Sequence, residues 1–299
     1  MSPLRVWLVA SRPRTLPAAI APVLVGSAAA VYEDGGDGFR WGAFAAALVG
    51  SIFIQIGTNL VNDYSDAKRG ADTVDRLGPV RVTASGLAPP RSVLIATWVA
   101  FAFAVAAGIY LATVAGPVIL AIGAVSILAG VLYTGGPRPY GYAGLGELFV
   151  FLFFGLVAVN GSYYVQLEEL AWLPFALSVS IGCLATAILV VNNIRDVDTD
   201  RRAGKRTLVV RIGRRPARGI YAGLLVFAFL IALGTLLVAD APWWSGPLLG
   251  AVWIVLSRAP VRAVATRTDG PPLNRALAQT GALLGAFSLA ITVSLVVAA

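Results

Sequence analysis

The chain predicts an all-α, polytopic membrane bundle of about nine transmembrane helices. Three observations carry that prediction. First, the 299 residues are 58% hydrophobic and only 13% charged, with a mean hydropathy of +0.80, far above a soluble domain. Second, the apolar runs are continuous and do not alternate, which disfavours a β-barrel. Backbone groups in lipid must then bond within helices, and a hydrocarbon core of about 30 Å takes roughly 20 apolar residues. Third, with the N-terminus placed in the cytoplasm, 22 of the 23 Lys and Arg fall on cytoplasmic segments and only Arg40 falls outside.

The spans follow in order. Span 15–32 comes after Arg5, Arg12 and Arg14, and that basic start reads as a start-transfer anchor in place of a cleaved signal. Next come 41–61, 93–113, 115–133, 146–166, 172–192, 219–238, 243–257 and 277–298, of which 243–257 is the shortest. Trp41, Trp172, Trp243 and Trp244 sit at span ends as belt anchors. The opposite loops carry Glu33, Asp34, Asp37, Glu168, Glu169 and Asp240. No linker divides the chain, so residues 1–299 read as one domain. The expected setting is the cytoplasmic membrane, multi-pass, with the N-terminus inside.

Composition excludes several functions. The net charge of +8 lies on membrane loops, which makes it topogenic and argues against nucleic acid as a partner. There is no histidine, which removes the usual zinc and haem ligands and the commonest general base. The single Cys183 lies in an apolar span and reads as a packing residue.

Two stretches break the oily pattern. Asn59 to Asp75 and Asn192 to Leu208 hold seven of the fifteen acidic residues, each directly after an apolar span. Acids at membrane helix ends are costly, so they point to a polar ligand. Asn59, Asp63 and Asp66 share a helix face if the second span continues, as do Asn192, Asp196 and Asp200. Carboxylates and amides at these spacings suit a hard cation, and magnesium takes one or two carboxylates together with water and phosphate oxygens. Lys68, Arg69, Arg195, Arg201, Arg202, Lys205 and Arg206 lie within the clusters, and metal plus Lys and Arg is how a departing diphosphate is held. Solvated ion pairing remains the alternative for single residues, above all Asp75, Asp198, Arg201 and Arg202. A weak internal repeat matches Val61 to Val191, Asn62 to Asn192 and Asp66 to Asp196. It implies two similarly oriented halves, roughly 1–140 and 141–299, with the site between them.

These motifs resemble the intramembrane aromatic prenyltransferases of the UbiA superfamily. That family carries N-D-x-x-D-x-x-x-x-x-D and D-x-x-x-D, matched here by Asn62, Asp63, Asp66, Asp72 and by Asp196, Asp200. The resemblance covers nearly the whole chain and implies a UbiA-like fold. It implies that these six residues bind Mg2+; the candidate catalytic residues are Asp66, Asp196, Asn62 and Tyr133. Candidate diphosphate contacts are Arg12, Asn59, Lys68, Arg69 and Arg138, with Asn192, Asn193, Arg195 and Lys205 from the second half.

The strings SRPRTLPAAIAPVLVG, DRLGPVRVTASGLAPPR and LYTGGPRPYGYAGLGE look like the branch acting on 1,4-dihydroxy-2-naphthoate in menaquinone synthesis. The haem O and 4-hydroxybenzoate branches usually carry R-T-x-x-R-P where this chain has GPVRVTASG. The resemblance then implies transfer of a polyprenyl group from its diphosphate, with loss of CO2, to give demethylmenaquinone. Oligomeric state is not implied.

Several readings stand side by side. Tyr133 either faces an allylic cation with its ring or is a belt tyrosine. Arg12 either reaches the diphosphate or is topogenic. Glu147 orients a loop or the acceptor, or favours its helix N-terminus. Another aromatic acceptor is possible for the same chemistry. A secondary transporter is the alternative from another class, opposed by acids lying at one membrane face and not at mid-depth. An alcohol phosphatidyltransferase lacks its D-G-x-x-A-R signature here.

Overall fold

The computed structural model describes residues 1–71 and 77–299. Among them the chain is helical throughout: α1 Pro3–Ser11, α2 Pro17–Asp34, α3 Trp41–Lys68, α4 Pro90–Ala115 and α5 Val118–Leu132 form the first half. The second half holds α6 Gly146–Val150 and α7 Ala158–Leu167, joined by a π-helical turn Phe151–Val157 into one span, then α8 Trp172–Arg202, α9 Leu208–Ile212, α10 Arg214–Val238, α11 Ser245–Thr266 and α12 Gly270–Ala298. Seven helices are long and apolar enough to cross a membrane, or eight if the bent pair Pro3–Thr15 and Pro17–Asp34 is one span. The chain is a multi-pass membrane protein.

Nine apolar segments match the nine spans in position, but their lengths differ from expectation. Span 243–257 is the 22-residue α11, because the helix continues past Arg258 and Arg262, whose long stems let charged ends reach the interface. The short segment is α5, 15 residues set between Gly116-Pro117 and Gly135-Gly136-Pro137. The helix axis bends by 52° before α2, where Arg12, immediately before Pro13, adopts φ 53°.

α8 is the central strut. Of its apolar window 78% is buried inside the protein, against between 22% and 50% for the other full spans. Its composition allows this: Ser178, Ser180, Gly182, Ala185 and Ala187 are small, so neighbouring backbones come close. The π-helical turn crosses it at Gly155, where an added Cβ would stand 2.7 Å from Gly182 Cα and from the Ser178 carbonyl oxygen. Ser180 Oγ donates 2.7 Å to the Ala228 carbonyl, tying α8 to α10. Elsewhere α3 packs along α4 and α11 along α12. Large apolar side chains such as Trp98, Phe103, Phe175, Leu230 and Val255 face outward, as lipid-facing surfaces require.

Polar ties gather at the two ends. At one end Arg40 pairs with Glu168 at 2.8 Å, and the buried Tyr163 hydroxyl donates to Glu33 and Glu169. At the other, α3 runs on to Lys68 and α8 to Arg202, so both acidic stretches begin as helix extensions. That continuation puts their spaced side chains on common faces.

Candidate active site

One cavity runs from the ends of α3 and α8 deep into the bundle. Its mouth is polar, lined by Arg12, Asn59, Asn62, Asp66, Arg81, Tyr142, Asn192, Asn193, Asp196, Asp200 and Lys205. Its body is apolar, lined by Ala18, Val23, Ala47, Ile54, Leu111, Ile119, Ile122, Phe153 and Val157, among others. The inner end meets a small core cluster of Ala43, Leu111, Ala115, Ile119 and Val165. Both halves of the chain therefore contribute to one space, polar at the top and oily below.

Asp66 is the hub of the first wall. It is 1% exposed and its carboxylate accepts from Tyr142 Oη at 2.6 Å and Arg81 Nη2 at 3.0 Å, with Lys205 Nζ at 3.3 Å. Three separate segments deliver these partners. Gly204, at φ +73°, turns the chain after α8 so that Lys205 swings back over the mouth, where its ammonium also lies 4.6 Å from the Tyr142 ring centroid. Two buried cations, Arg81 and Lys205, face this one carboxylate, so this wall of the mouth offers cationic groups to an anion. Asn62 Oδ1 accepts from Thr134 Oγ1 at 2.7 Å, and Asn59 Nδ2 donates to Ser11 O and Thr15 Oγ1 at 3.1 Å each.

On the opposite wall, Asp196 is clamped by its neighbour. Arg195, 1% exposed, donates Nε to Asp196 Oδ1 at 2.7 Å and Nη2 to Oδ2 at 2.6 Å. It also donates to Asn192 Oδ1 and to Asn274 Oδ1 of α12, both at 2.7 Å, and Asn274 in turn holds the Leu77 carbonyl at 2.8 Å. Asp200, one turn on, lines the mouth, whereas Asp198 turns outward to Arg214 at 2.8 Å.

A cap closes over Tyr133. Gly141 N donates to Tyr133 O at 3.0 Å, and an added Cβ at Gly141 would lie 2.6 Å from that oxygen. Arg206 N and Arg211 Nη2 hold Tyr142 O and Ala143 O at 2.9 and 2.7 Å. Tyr133 stands edge-on to Tyr140, which stacks on Phe149 at 4.0 Å between centroids. Burial pushes the Tyr133 phenol well up from its usual value, with the nearby Glu147 charge adding to it, and burial does the same to Tyr140. Both rings stay neutral, and their faces form an aromatic lining below the mouth.

Several residues expected at the site lie elsewhere. Asp63 does not line the cavity. Both its oxygens accept backbone N–H groups, from Val82 at 3.0 Å and Thr83 at 2.9 Å, so it pins the loop that aims Arg81 at Asp66. Arg195 faces protein on every side, its guanidinium engaged by Asp196, Asn192 and Asn274. Lys68 and Arg138 are exposed and outside the lining, and Arg69 ties the cap by donating to Gly136 O. Asp72 lies outside the described residues. Arg81 and Tyr142 also line the mouth, which the sequence does not predict: they stand in the strings GPVRVTASG and GGPRPYGYAG, where Arg81 counts only as one more cytoplasmic basic residue.

Asp63→Ala is expected to lower stability by about 2–4 kcal/mol through two lost charge-assisted hydrogen bonds, read as earlier thermal unfolding in detergent. An unchanged midpoint would mean the loop holds itself.

The donor set can be tested against a divalent cation. Among the described residues, no three acidic, His or Cys side chains gather closely enough to cage a metal. The acids instead divide between two walls, with amide oxygens beside them. That arrangement fits hard ions which take one or two protein carboxylates and complete their shell from phosphate oxygens and water.

The chain matches the UbiA prenyltransferase family over residues 19–278. It is 42% identical over 285 residues to the 1,4-dihydroxy-2-naphthoate octaprenyltransferase of Mycobacterium tuberculosis, covering 95% of this chain and 94% of that one. It is 36% identical to the Escherichia coli enzyme of the same description, covering 94% and 92%. Among solved structures it resembles a UbiA homolog from Archaeoglobus fulgidus bound to DMAPP and Mg2+, with TM-score 0.64 and 16% identity over 97% of this chain and 99% of that one. It also resembles a UbiA homolog from Aeropyrum pernix K1, with TM-score 0.68 and 15% identity over 94% and 97%. At these identities the structures attest the fold.

Proposed function

The chain belongs to the UbiA prenyltransferase family, and from that premise we propose that it transfers a polyprenyl group from polyprenyl diphosphate to 1,4-dihydroxy-2-naphthoate, releasing CO2 and diphosphate. The observation that carries this reading is the continuous cavity with a charged mouth above an apolar body. A prenyl chain can lie among Ile54, Leu111, Ile122 and Phe153 while its head group stays at Arg12, Arg81 and Lys205. We place the mouth on the cytoplasmic side of the cell membrane, where the basic loops lie. The two halves supply one wall each, as a parallel duplication would.

Asp66 and Asn62 on one wall, with Asp196 and Asp200 on the other, would hold Mg2+ together with the diphosphate. When bound, the ion offsets phosphate charge as the allylic carbon–oxygen bond breaks. Arg81 and Lys205 bind the departing anion from the protein side. Tyr133, Tyr140 and Phe149 bring ring faces to the allylic cation, and aromatic faces favour positive charge. The capped cavity keeps water from that cation. The acceptor ring then forms its new carbon–carbon bond at the carboxylate-bearing carbon. Loss of CO2 returns the bonding pair to the ring, so no histidine is needed to remove a ring proton.

The test is purified protein in detergent with Mg2+, a series of polyprenyl diphosphates and a panel of aromatic acids, read by mass spectrometry. The expected product is the decarboxylated prenylated naphthoquinol, lost on chelation and restored by added Mg2+. Absence of any prenylated acid would overturn the reading. Arg81→Ala is expected to raise the KM for the prenyl diphosphate about tenfold or more while leaving the acceptor KM near wild type, since it removes one charge-assisted contact.

A further inference from the structure

Glu147 begins α6 behind the cavity wall and is 8% exposed. Its Oε1 accepts from Asn193 Nδ2 at 2.8 Å across the α6–α8 crossing. Its Oε2 is buried and has no hydrogen-bond partner in the protein. Asn193 is itself 4% exposed and lines the cavity, which Glu147 does not reach.

In this contact Asn193 Nδ2 donates and Glu147 Oε1 accepts, so the amide group facing the carboxyl is the donor end. The Asn193 carbonyl oxygen is then turned the other way, toward the cavity. An acceptor in that position repels a diphosphate oxygen, which removes Asn193 from the anion contacts expected from sequence. What it can receive is an O–H group. Its depth suits such a role. Asn193 lies three residues before Asp196 on α8, roughly 4.5 Å further along the helix axis towards the apolar body at 1.5 Å per residue. With the diphosphate held at the carboxylates as proposed above, the acceptor ring would meet the prenyl carbon at about this level. Tyr133 borders the same place, for a Cβ on Gly146 would stand 3.2 Å from its ring. The unmatched Glu147 oxygen is a second pointer, because a carboxylate buried only for structure normally has both oxygens satisfied.

We propose that Glu147 is a positioning residue whose hydrogen bond turns the Asn193 amide oxygen into the cavity, where it receives a hydroxyl of the aromatic acceptor. The inference rests on the prenyl-transfer reading above and adds how the acceptor is held.

The test is steady-state kinetics in detergent at saturating Mg2+, varying dihydroxynaphthoate and prenyl diphosphate separately. Glu147→Ala is expected to raise the acceptor KM about tenfold, the scale of one lost orienting hydrogen bond, with the donor KM unchanged. Glu147→Gln keeps an accepting carbonyl and should stay near wild type. Asn193→Asp sets two acceptors face to face and should be as weak as Glu147→Ala. Combining Glu147→Gln with Asn193→Asp exchanges donor and acceptor, keeps an oxygen toward the cavity, and should recover the acceptor KM. The proposal is overturned if Glu147→Ala leaves the acceptor KM unchanged, if it shifts the donor KM or the Mg2+ requirement instead, or if Glu147→Gln is equally impaired. If Glu147→Ala does not fold, failure of the double variant to recover what Asn193→Asp loses overturns it alone. A wild-type protein that prenylates no aromatic acid would sink the functional reading itself, and this inference with it.

Discussion

Asp66→Asn is expected to lower kcat/KM about 10³-fold while the protein still folds, the scale seen when one preorganised electrostatic group is removed from a buried site. The substitution keeps volume and an oxygen for the Tyr142 hydroxyl, now 2.6 Å away. It removes the charge that Arg81 and Lys205 balance at 3.0 and 3.3 Å, and with it the oxygen donor that we propose Asp66 gives the cation. Asp66→Ala would be a poorer probe. It strips the shared carboxylate from two buried cations, and breaking such pairs costs about 3–5 kcal/mol, so loss of activity would mix with loss of fold. The measurement is kcat/KM across a Mg2+ titration, with size-exclusion elution as the folding control. A folded D66N protein within tenfold of wild type would show that Asp66 is only a counter-ion for its two cations.

Arg195→Lys is expected to cost about 3–5 kcal/mol of stability, although it conserves charge. A guanidinium grips both Asp196 oxygens at 2.7 and 2.6 Å while reaching Asn192 and Asn274. A lysine ammonium is a point charge and cannot span that fork. Asp196 would then lose its fixed orientation, and Asn274 its link between α12 and α8. Activity should fall roughly 10²-fold in the folded fraction, as for other losses of a group that orients a metal-binding side chain. Thermal unfolding in detergent and kcat at saturating substrates separate the two effects. A lysine variant with wild-type melting and turnover would mean the clamp is redundant.

Asp66 and Asp196 stand out because carboxylates at membrane helix ends are expensive and need a partner. Asp63 has the same type and setting, and spacing cannot distinguish it from Asp66. The difference arises because the chain folds back and offers the Val82 and Thr83 amides to Asp63, and the Arg81 guanidinium to Asp66. Arg195 has the same limitation. A basic residue beside an acidic motif suggests an anion contact, and only the packing of α12 shows that its donors are already used.

The amino-acid order by itself settled the membrane class, the positions of the apolar segments and the two polar stretches, because hydrophobic length and charge are local properties that lipid reads directly. Which acid faces the cavity, which arginine lines it and which holds another side chain were decided only when segments remote in sequence met. A hydrogen bond in a buried site belongs to the pair, and the second member of each pair here arrives from a loop or helix that no local pattern identifies.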